Sequence, residues 1–248
     1  VLVQSGENQI KTYFASDCGY ILKKIEEGFD RIIETWGADH HGYIKRFQAA
    51  AEALGFPREK MRFNIVQLVR LVKDGKEARM SKRAGNVVYI DDLIEKFGHD
   101  VTRFFFLMYS PDTHMSFDLG LAEEKSQKNP VFYVQYAHAR ICSILSKYEV
   151  ESSKYKAESP VDLTLLTHEK ELSLIKELNK FPELVEELAE SYEVHKLPYY
   201  AIRLADKFHS FYNDCKVIDE ENQDLTKARI SLITAVKIVL GEALDLIG

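Results

Sequence analysis

The sequence predicts an α/β unit followed by an all-helical one. Up to about residue 120, short β-type runs alternate with amphipathic helical runs between Gly and Asp turns. Beyond Asp118 the apolar period becomes helical and stays so. The 248 residues, 46% of them hydrophobic, suffice to fill one large or two ordinary cores. The expected division is therefore residues 1–120 and residues 121–248.

In the first part, "TYFASDCGY" sets Tyr13 and Asp17 four residues apart, on one face if the segment is helical. "FDRIIETW" (Phe29 to Trp36) reads as a strand, "GADHHG" as a loop, and "YIKRFQAAAEALG" as an amphipathic helix stopped by Gly55 and Pro57. Strand, polar loop and helix make half of a parallel α/β unit, in which ligands sit beyond the carboxyl ends of strands. Asp39, His40 and His41 fall at that place. A second β-type run, "FNIVQLVRLV" (Phe63 to Val72), leads through "KDGKE" into "EARMSKRAGN" (Glu77 to Asn86).

In the second part, "NPVFYVQYAHARICSILSKY" lines up Val131, Val134, Ala137, Ile141 and Leu145, with Tyr133, Tyr136 and Arg140 along a neighbouring face. "EVESSKYKAESP" (Glu149 to Pro160) reads as a loop. Leu172, Ile175, Leu178, Val185, Leu188 and Tyr192 continue a 3.6-residue rhythm in which Pro182 starts or kinks a turn. Ala201, Ala205, Phe208, Tyr212 and Cys215 mark a further helix, with Phe208 and Tyr212 expected in its core stripe. Leu232, Val236, Val239, Leu240, Ala243 and Ile247 mark the last one.

Composition narrows the class of protein. No apolar run approaches the roughly 20 residues that span a bilayer, and the start has no signal-peptide layout. Cys18, Cys142 and Cys215 are far apart and form no CxxC pair, which fits a reducing cytoplasm. A net charge of -6 argues against non-specific coating of nucleic acid, yet allows a local surface for a shaped RNA. The first residue is Val rather than Met, so the sequence is expected to begin inside a longer protein.

Three segments could carry chemistry. "EARMSKRAGN" places Arg79, Lys82 and Arg83 beside Ser81 and Gly85. Cations and backbone N–H groups stabilise phosphate oxygens as a P–O bond breaks, and Gly75 and Gly85 would let the loop close. On spacing alone, a solvated surface loop is the commoner outcome. "WGADHHGY" offers two ligand chemistries. Asp and His could bind a divalent metal, as in a DHH-type phosphoesterase, though His99, Asp112 and His114 lack ligand-like spacing. Alternatively Gly37 admits a nucleotide to the backbone and Asp39 accepts ribose hydroxyls, with helix capping a further role open to Asp39. Tyr13 with Asp17 makes an aromatic wall beside a carboxylate, a receptor for a cationic side chain.

Together, "TYFASDCGY", "GFDRIIETWGADHHGY", "ARMSKRAGN", "DVTRFFFLMYSPDTHMSFDL", "NPVFYVQYAHAR" and "FHSFYNDC" closely resemble the arginyl-tRNA synthetases, a class I family. The resemblance implies a Rossmann-type catalytic domain, here its second half, followed by a helical-bundle anticodon-binding domain. It implies an enzyme that activates arginine with ATP, releases pyrophosphate and passes arginine to the 3′ end of its tRNA. "ARMSKR" matches the class I signature usually written KMSKS, which makes Lys82, Arg79 and Ser81 the implied catalytic residues. Gly37, Asp39, Met80 and Lys82 are the implied ATP-binding residues; Tyr13, Asp17 and His40 are those for arginine. Tyr133, Tyr136 and Arg140 match the start of the anticodon-binding domain and could offer a stacking face and a phosphate contact. The competing account packs both tyrosines against the last helix.

The implied small molecules are ATP as substrate with Mg2+, and no protein-ligated metal. The implied partners are tRNA and arginine for a cytoplasmic monomer without a membrane association. A non-catalytic tRNA-binding relative and the metal phosphoesterase are the alternatives. None of the eight histidines has the His-x-Gly-His spacing of class I enzymes, so the chain is expected to correspond to the carboxyl-terminal half of the family. The 248-residue chain alone should therefore form no arginyl-adenylate. Arginine-dependent ATP–pyrophosphate exchange by the purified chain, with tRNA present, would contradict this.

Overall fold

A computed structural model describes residues 4–5, 10–78, 89–152 and 161–248. The chain divides into two compact units, residues 1–70 with 111–115 and residues 71–110 with 116–248.

In the first unit, β1 (Gln4–Ser5) and β2 (Ile10–Lys11) pair antiparallel and lead into helix α1 (Tyr13–Glu26). Strand β3 (Ile32–Gly37) pairs in parallel with β4 (Met61–Val66), Ile32 opposite Met61 through Gly37 opposite Val66. A parallel pair cannot be closed by a hairpin. The crossover is a 3-10 turn, Ala38–Tyr43, running directly into α2 (Ile44–Ala53). Side chains alternate across β3 and β4, so one face packs on the helices. There Ile21 of α1, Ile32, Phe47 and Ala51 of α2, Phe56 and Met61 form a buried core, with Trp36, Tyr43 and Phe63 packed against it. Each fully buried large apolar side chain contributes about 1.5–3 kcal/mol. Lys24 and Glu34 meet at 2.6 Å as a largely shielded ion pair between α1 and β3.

Next in the chain is a sheet in the order β6-β5-β7, made of β5 (Val69–Lys73), β6 (Lys76–Glu77) and, later, β7 (Met115–Asp118), with most of its residues in the second unit. Asp74 and Gly75, at φ 51° and 72°, make the left-handed two-residue turn between β5 and β6 that suits the twist of a hairpin. Helices α3 (Ile90–Phe97) and α4 (His99–Leu107) flank Gly98. The Asp118 carboxylate caps α5 (Leu119–Glu123), accepting from the N–H groups of Gly120 and Leu121. Then come α6 (Pro130–Ser152), α7 (Glu169–Leu178), α8 (Phe181–Ser191), α9 (Lys196–Asp214) and α10 (Gln223–Ile247).

Helices α6, α7, α9 and α10 pack on one another. Val131, Val134, Ala137 and Ile141 of α6 are buried, as are Tyr200, Leu204, Phe208 and Phe211 of α9, and Leu232, Val236 and Leu240 of α10. Pro182 sits in the first turn of α8, where its missing N–H costs no helical bond.

Three expectations are corrected. The run Phe63 to Val72 is two strands, because the chain breaks at Gln67, whose N–H donates to the Pro111 carbonyl at 2.8 Å. Within the second unit α4 also packs on α6 and α10. Helix α6 continues through Ser152 into the stretch read as a loop from Glu149; residues 153–160 lie outside the described residues. Helix α7 buries Glu171, Leu174 and Glu177 rather than the rhythm Leu172, Ile175, Leu178, and Leu172 is exposed.

Those two buried carboxylates are satisfied. Arg229 Nε donates to Glu171 Oε1 at 2.6 Å and the His168 N–H to Glu171 Oε2 at 2.8 Å. Lys180 donates to Glu177 Oε2 at 2.7 Å and Arg203 to Oε1 at 3.2 Å. Removing one partner of a buried pair leaves a charge uncompensated. Arg229→Met should therefore destabilise the fold by about 3 kcal/mol, measured by urea unfolding, and the double variant with Glu171→Met should recover most of the loss.

Candidate functional site

Tyr13 is the first residue of α1 and is 93% exposed; Asp17 follows one turn later, half-buried on the same helix. The 3-10 turn beyond β3 returns Tyr43 to this helix, and its hydroxyl donates to Asp17 Oδ2 at 3.2 Å. The Tyr43 ring stands edge-on to Phe14 at 5.8 Å and tilts against Trp36 at 6.0 Å, with the Arg46 guanidinium 5.3 Å over its face. Burial, then the hydrogen bond to Asp17 and the charge of that carboxylate, push the Tyr43 phenol up. It remains a protonated donor at neutral pH.

Gly37 ends β3 where the backbone turns into the 3-10 helix. A Cβ there would lie 2.7 Å from Asp39 Oδ1, so a larger residue would turn the exposed Asp39 carboxylate away from the strand end. Asp39 and His40 are exposed, with His40 Nε2 3.6 Å from Asp39 Oδ2 and the His40 ring against Trp36 at 6.4 Å. His41 is exposed beside them. Asp39 does not cap α2, because the 3-10 turn intervenes and Tyr43 occupies the position before that helix. Among the described residues no three His, Cys, Asp or Glu side chains are grouped to hold a metal ion.

The structure thus brings Asp17 to Tyr43 and sets His40 and Asp39 on the same short turn as Tyr43. Tyr43 was absent from the residues singled out by sequence, although it closes the segment "WGADHHGY". Its spacing from Phe47, four residues on, was the available signal, since both rings reach Trp36. Arg79, Met80, Ser81, Lys82 and Arg83 lie outside the described residues.

In the second unit, Tyr133, Tyr136 and Arg140 of α6 face α9. The Tyr133 hydroxyl donates to Asp206 Oδ1 at 3.3 Å, and its ring lies 4.7 Å from His209. Tyr136 stacks on His209 at 5.9 Å with planes 25° apart. The Arg140 guanidinium lies between two rings, 4.6 Å from Tyr136 and 4.7 Å from Tyr212, and donates to the Tyr136 hydroxyl. Phe208 is buried as expected, but Tyr212 is 36% exposed. Tyr212 is the outer plate of the arginine sandwich rather than core. The rings of both tyrosines meet His209 of α9.

A parallel strand–turn–helix unit followed in the chain by a helical bundle is an architecture found in class I aminoacyl-tRNA synthetases. Residues 134–248 match the family model of the DALR anticodon binding domain. The arginine–tRNA ligase of Bacillus subtilis (strain 168) is 48% identical over 237 residues, 96% of this chain and 42% of that protein. That of Desulforamulus reducens is 45% identical over all of this chain and 44% of its own length. The crystal structure of an arginyl-tRNA synthetase from Campylobacter jejuni superposes with a TM-score of 0.86 at 33% identity, covering 99% of this chain and 52% of that one. The Thermus thermophilus arginyl-tRNA synthetase shares the fold at a TM-score of 0.78 and 21% identity, over 99% of this chain and 49% of that one. The chain is similar over nearly its whole length to arginine–tRNA ligases, and spans less than half the length of the curated relatives it matches.

His209 is buried beneath the tyrosines, with no hydrogen-bond partner for Nε2 among the described residues. Burial above all, with Arg140 adding to it, holds its imidazole below the usual histidine range. A depressed folded value means that stability present above the unfolded value is lost as pH falls, because the unfolded chain then binds more protons. Unfolding free energy should decrease as pH falls through the ordinary imidazole value of 6.5. Chemical denaturation at pH 7.5 and 5.5 should show a smaller loss for His209→Gln than for the parent chain.

Proposed function

We propose that this chain carries the arginine pocket, the pyrophosphate clamp and the anticodon-binding surface of an arginine–tRNA ligase. The observation that carries the reading is the Asp17 carboxylate, tied to Tyr43 and one helical turn from the exposed Tyr13, beside the ligand loop that ends β3. A guanidinium placed there gains charge-assisted hydrogen bonds from Asp17 and an aromatic face from Tyr13. His40 lines the same pocket. Gly37 opens the strand end to adenosine, and Asp39 accepts hydrogen bonds from the ribose hydroxyls.

In the reaction, an oxygen of the arginine carboxylate bonds to the α-phosphorus of ATP as the bond to the β-phosphate breaks. Lys82 and Arg79, with Ser81 and Met80 shaping the loop, neutralise charge on the departing pyrophosphate. Mg2+ rides on the triphosphate, with no protein-ligated metal among the roles assigned here. A ribose hydroxyl at the 3′ end of the tRNA then bonds to the arginyl carbonyl carbon as its bond to the adenylate oxygen breaks and AMP leaves. Residues 1–120 serve catalysis and residues 121–248 the tRNA, where Tyr133 and Tyr136 stack on anticodon bases and Arg140 meets a phosphate. The protein works as a cytoplasmic monomer.

Arginine-dependent ATP–pyrophosphate exchange and tRNA binding by the full-length protein carrying this sequence test the assignment. Lys82→Ala should slow exchange about 100- to 1,000-fold. Tyr136→Ala should weaken tRNA binding by about 10- to 100-fold while leaving the arginine KM in place. An unchanged exchange rate in Lys82→Ala would remove the clamp.

A further inference from the structure

Asp17 and Tyr43 form a unit whose second member has no role in the scheme above. An aspartate carboxylate turns readily about its last torsion, which is broad and nearly two-fold. A guanidinium is planar and donates through a fork, so it is best received by a carboxylate held in one plane. The Tyr43 hydroxyl fixes one oxygen, Oδ2, at 3.2 Å. The tyrosine is itself fixed: Phe14 meets its ring edge-on, Trp36 tilts against it, and Arg46 lies over its face. The backbone is equally constrained, because Tyr43 is the last residue of the 3-10 turn and the position from which α2 starts.

We infer that Tyr43 is a positioning residue for arginine: its hydroxyl holds the Asp17 carboxylate in the orientation that accepts a planar guanidinium. The inference rests on the reading of Asp17 as the arginine anchor. Tyr43 works through Asp17 rather than on substrate. One hydroxyl proton uses one of the carboxylate's four acceptor positions, leaving Oδ1 and the remaining lone pair of Oδ2 for two parallel N–H groups. A single ammonium gains little from a fixed plane, whereas a forked donor gains two aligned bonds. The same contact therefore favours arginine over lysine.

The Tyr43→Phe variant of the full-length protein isolates the hydroxyl, because the ring and its packing remain. Removing one hydrogen bond to a charged group should raise the arginine KM about tenfold, with kcat within about twofold and the melting temperature unchanged. The selectivity for arginine over lysine, read as the ratio of kcat/KM, should fall by a similar factor. Asp17→Asn should raise the arginine KM more steeply, and in that background Tyr43→Phe should add little, since the two act as one unit. A Tyr43→Phe enzyme that keeps its arginine KM and selectivity while Asp17→Asn loses them would overturn the positioning role and leave the anchor standing. If Asp17→Asn also keeps its arginine KM, the anchor reading itself is wrong. A lowered melting temperature with an unchanged KM would make Tyr43 purely structural and would equally overturn the inference.

Discussion

The site in the first unit depends on the Trp36 indole. Its ring lies 4.9–6.4 Å, centroid to centroid, from those of His40, Tyr43, Phe47 and Phe63, so one side chain at the end of β3 meets the 3-10 turn, the crossover helix and the neighbouring strand. Edge-to-face contacts of this kind are directional as well as apolar, worth about 0.5–1.5 kcal/mol each beyond the area they bury. The 3-10 turn has no buried residue of its own. It is held by its rings, and through Tyr43 it reaches Asp17 on a helix 26 residues earlier in sequence. Polar groups on an exposed turn are ordinarily loose; here an aromatic anchor fixes them while Asp39 and His40 stay open to solvent.

The helical unit uses a related contact for a different end. Arg140 lies between Tyr136 and Tyr212, so its charge is fixed by two ring faces rather than by a carboxylate. A guanidinium paired with a carboxylate has its charge neutralised, whereas one sandwiched by rings still projects a positive potential. Beneath it, His209 kept neutral by burial adds no second cation below the stacking face. The surface therefore combines aromatic planes with one oriented charge.

The fold class, the parallel strand–turn–helix unit and the stripes of α6 and α10 were legible because each rests on a local period. The pairing of α7 was not. Glu171 and Glu177 look like solvent-facing residues in a helix whose leucines suggest another face. Only the arrival of Arg229 and Arg203, 58 and 26 residues later, makes burial of the carboxylates possible. Tyr43 was missed for a similar reason: a tyrosine at the end of a turn is unremarked until a partner from another element is seen. Tyr212 shows the converse, since helical spacing places it in the apolar stripe but cannot register an arginine that takes the outer ring face. Gly37 and Asp39 were legible as residue types suited to a strand end, though the 2.7 Å approach of the Asp39 carboxylate to the glycine needed coordinates.

The buried carboxylates of α7 also act as a gauge for the bundle. Hydrophobic side chains of similar size tolerate a helix sliding along its neighbours, because one apolar contact replaces another. Glu171 reaches into α10 and Glu177 into α9, and a shift of α7 by a single turn would strand two charges away from their arginines at once. The bundle therefore has one depth setting, locked at two points about a turn and a half apart on the same helix. Because α9 also carries His209 and Tyr212, that setting is passed along the helix to the rings that meet Tyr136 and Arg140.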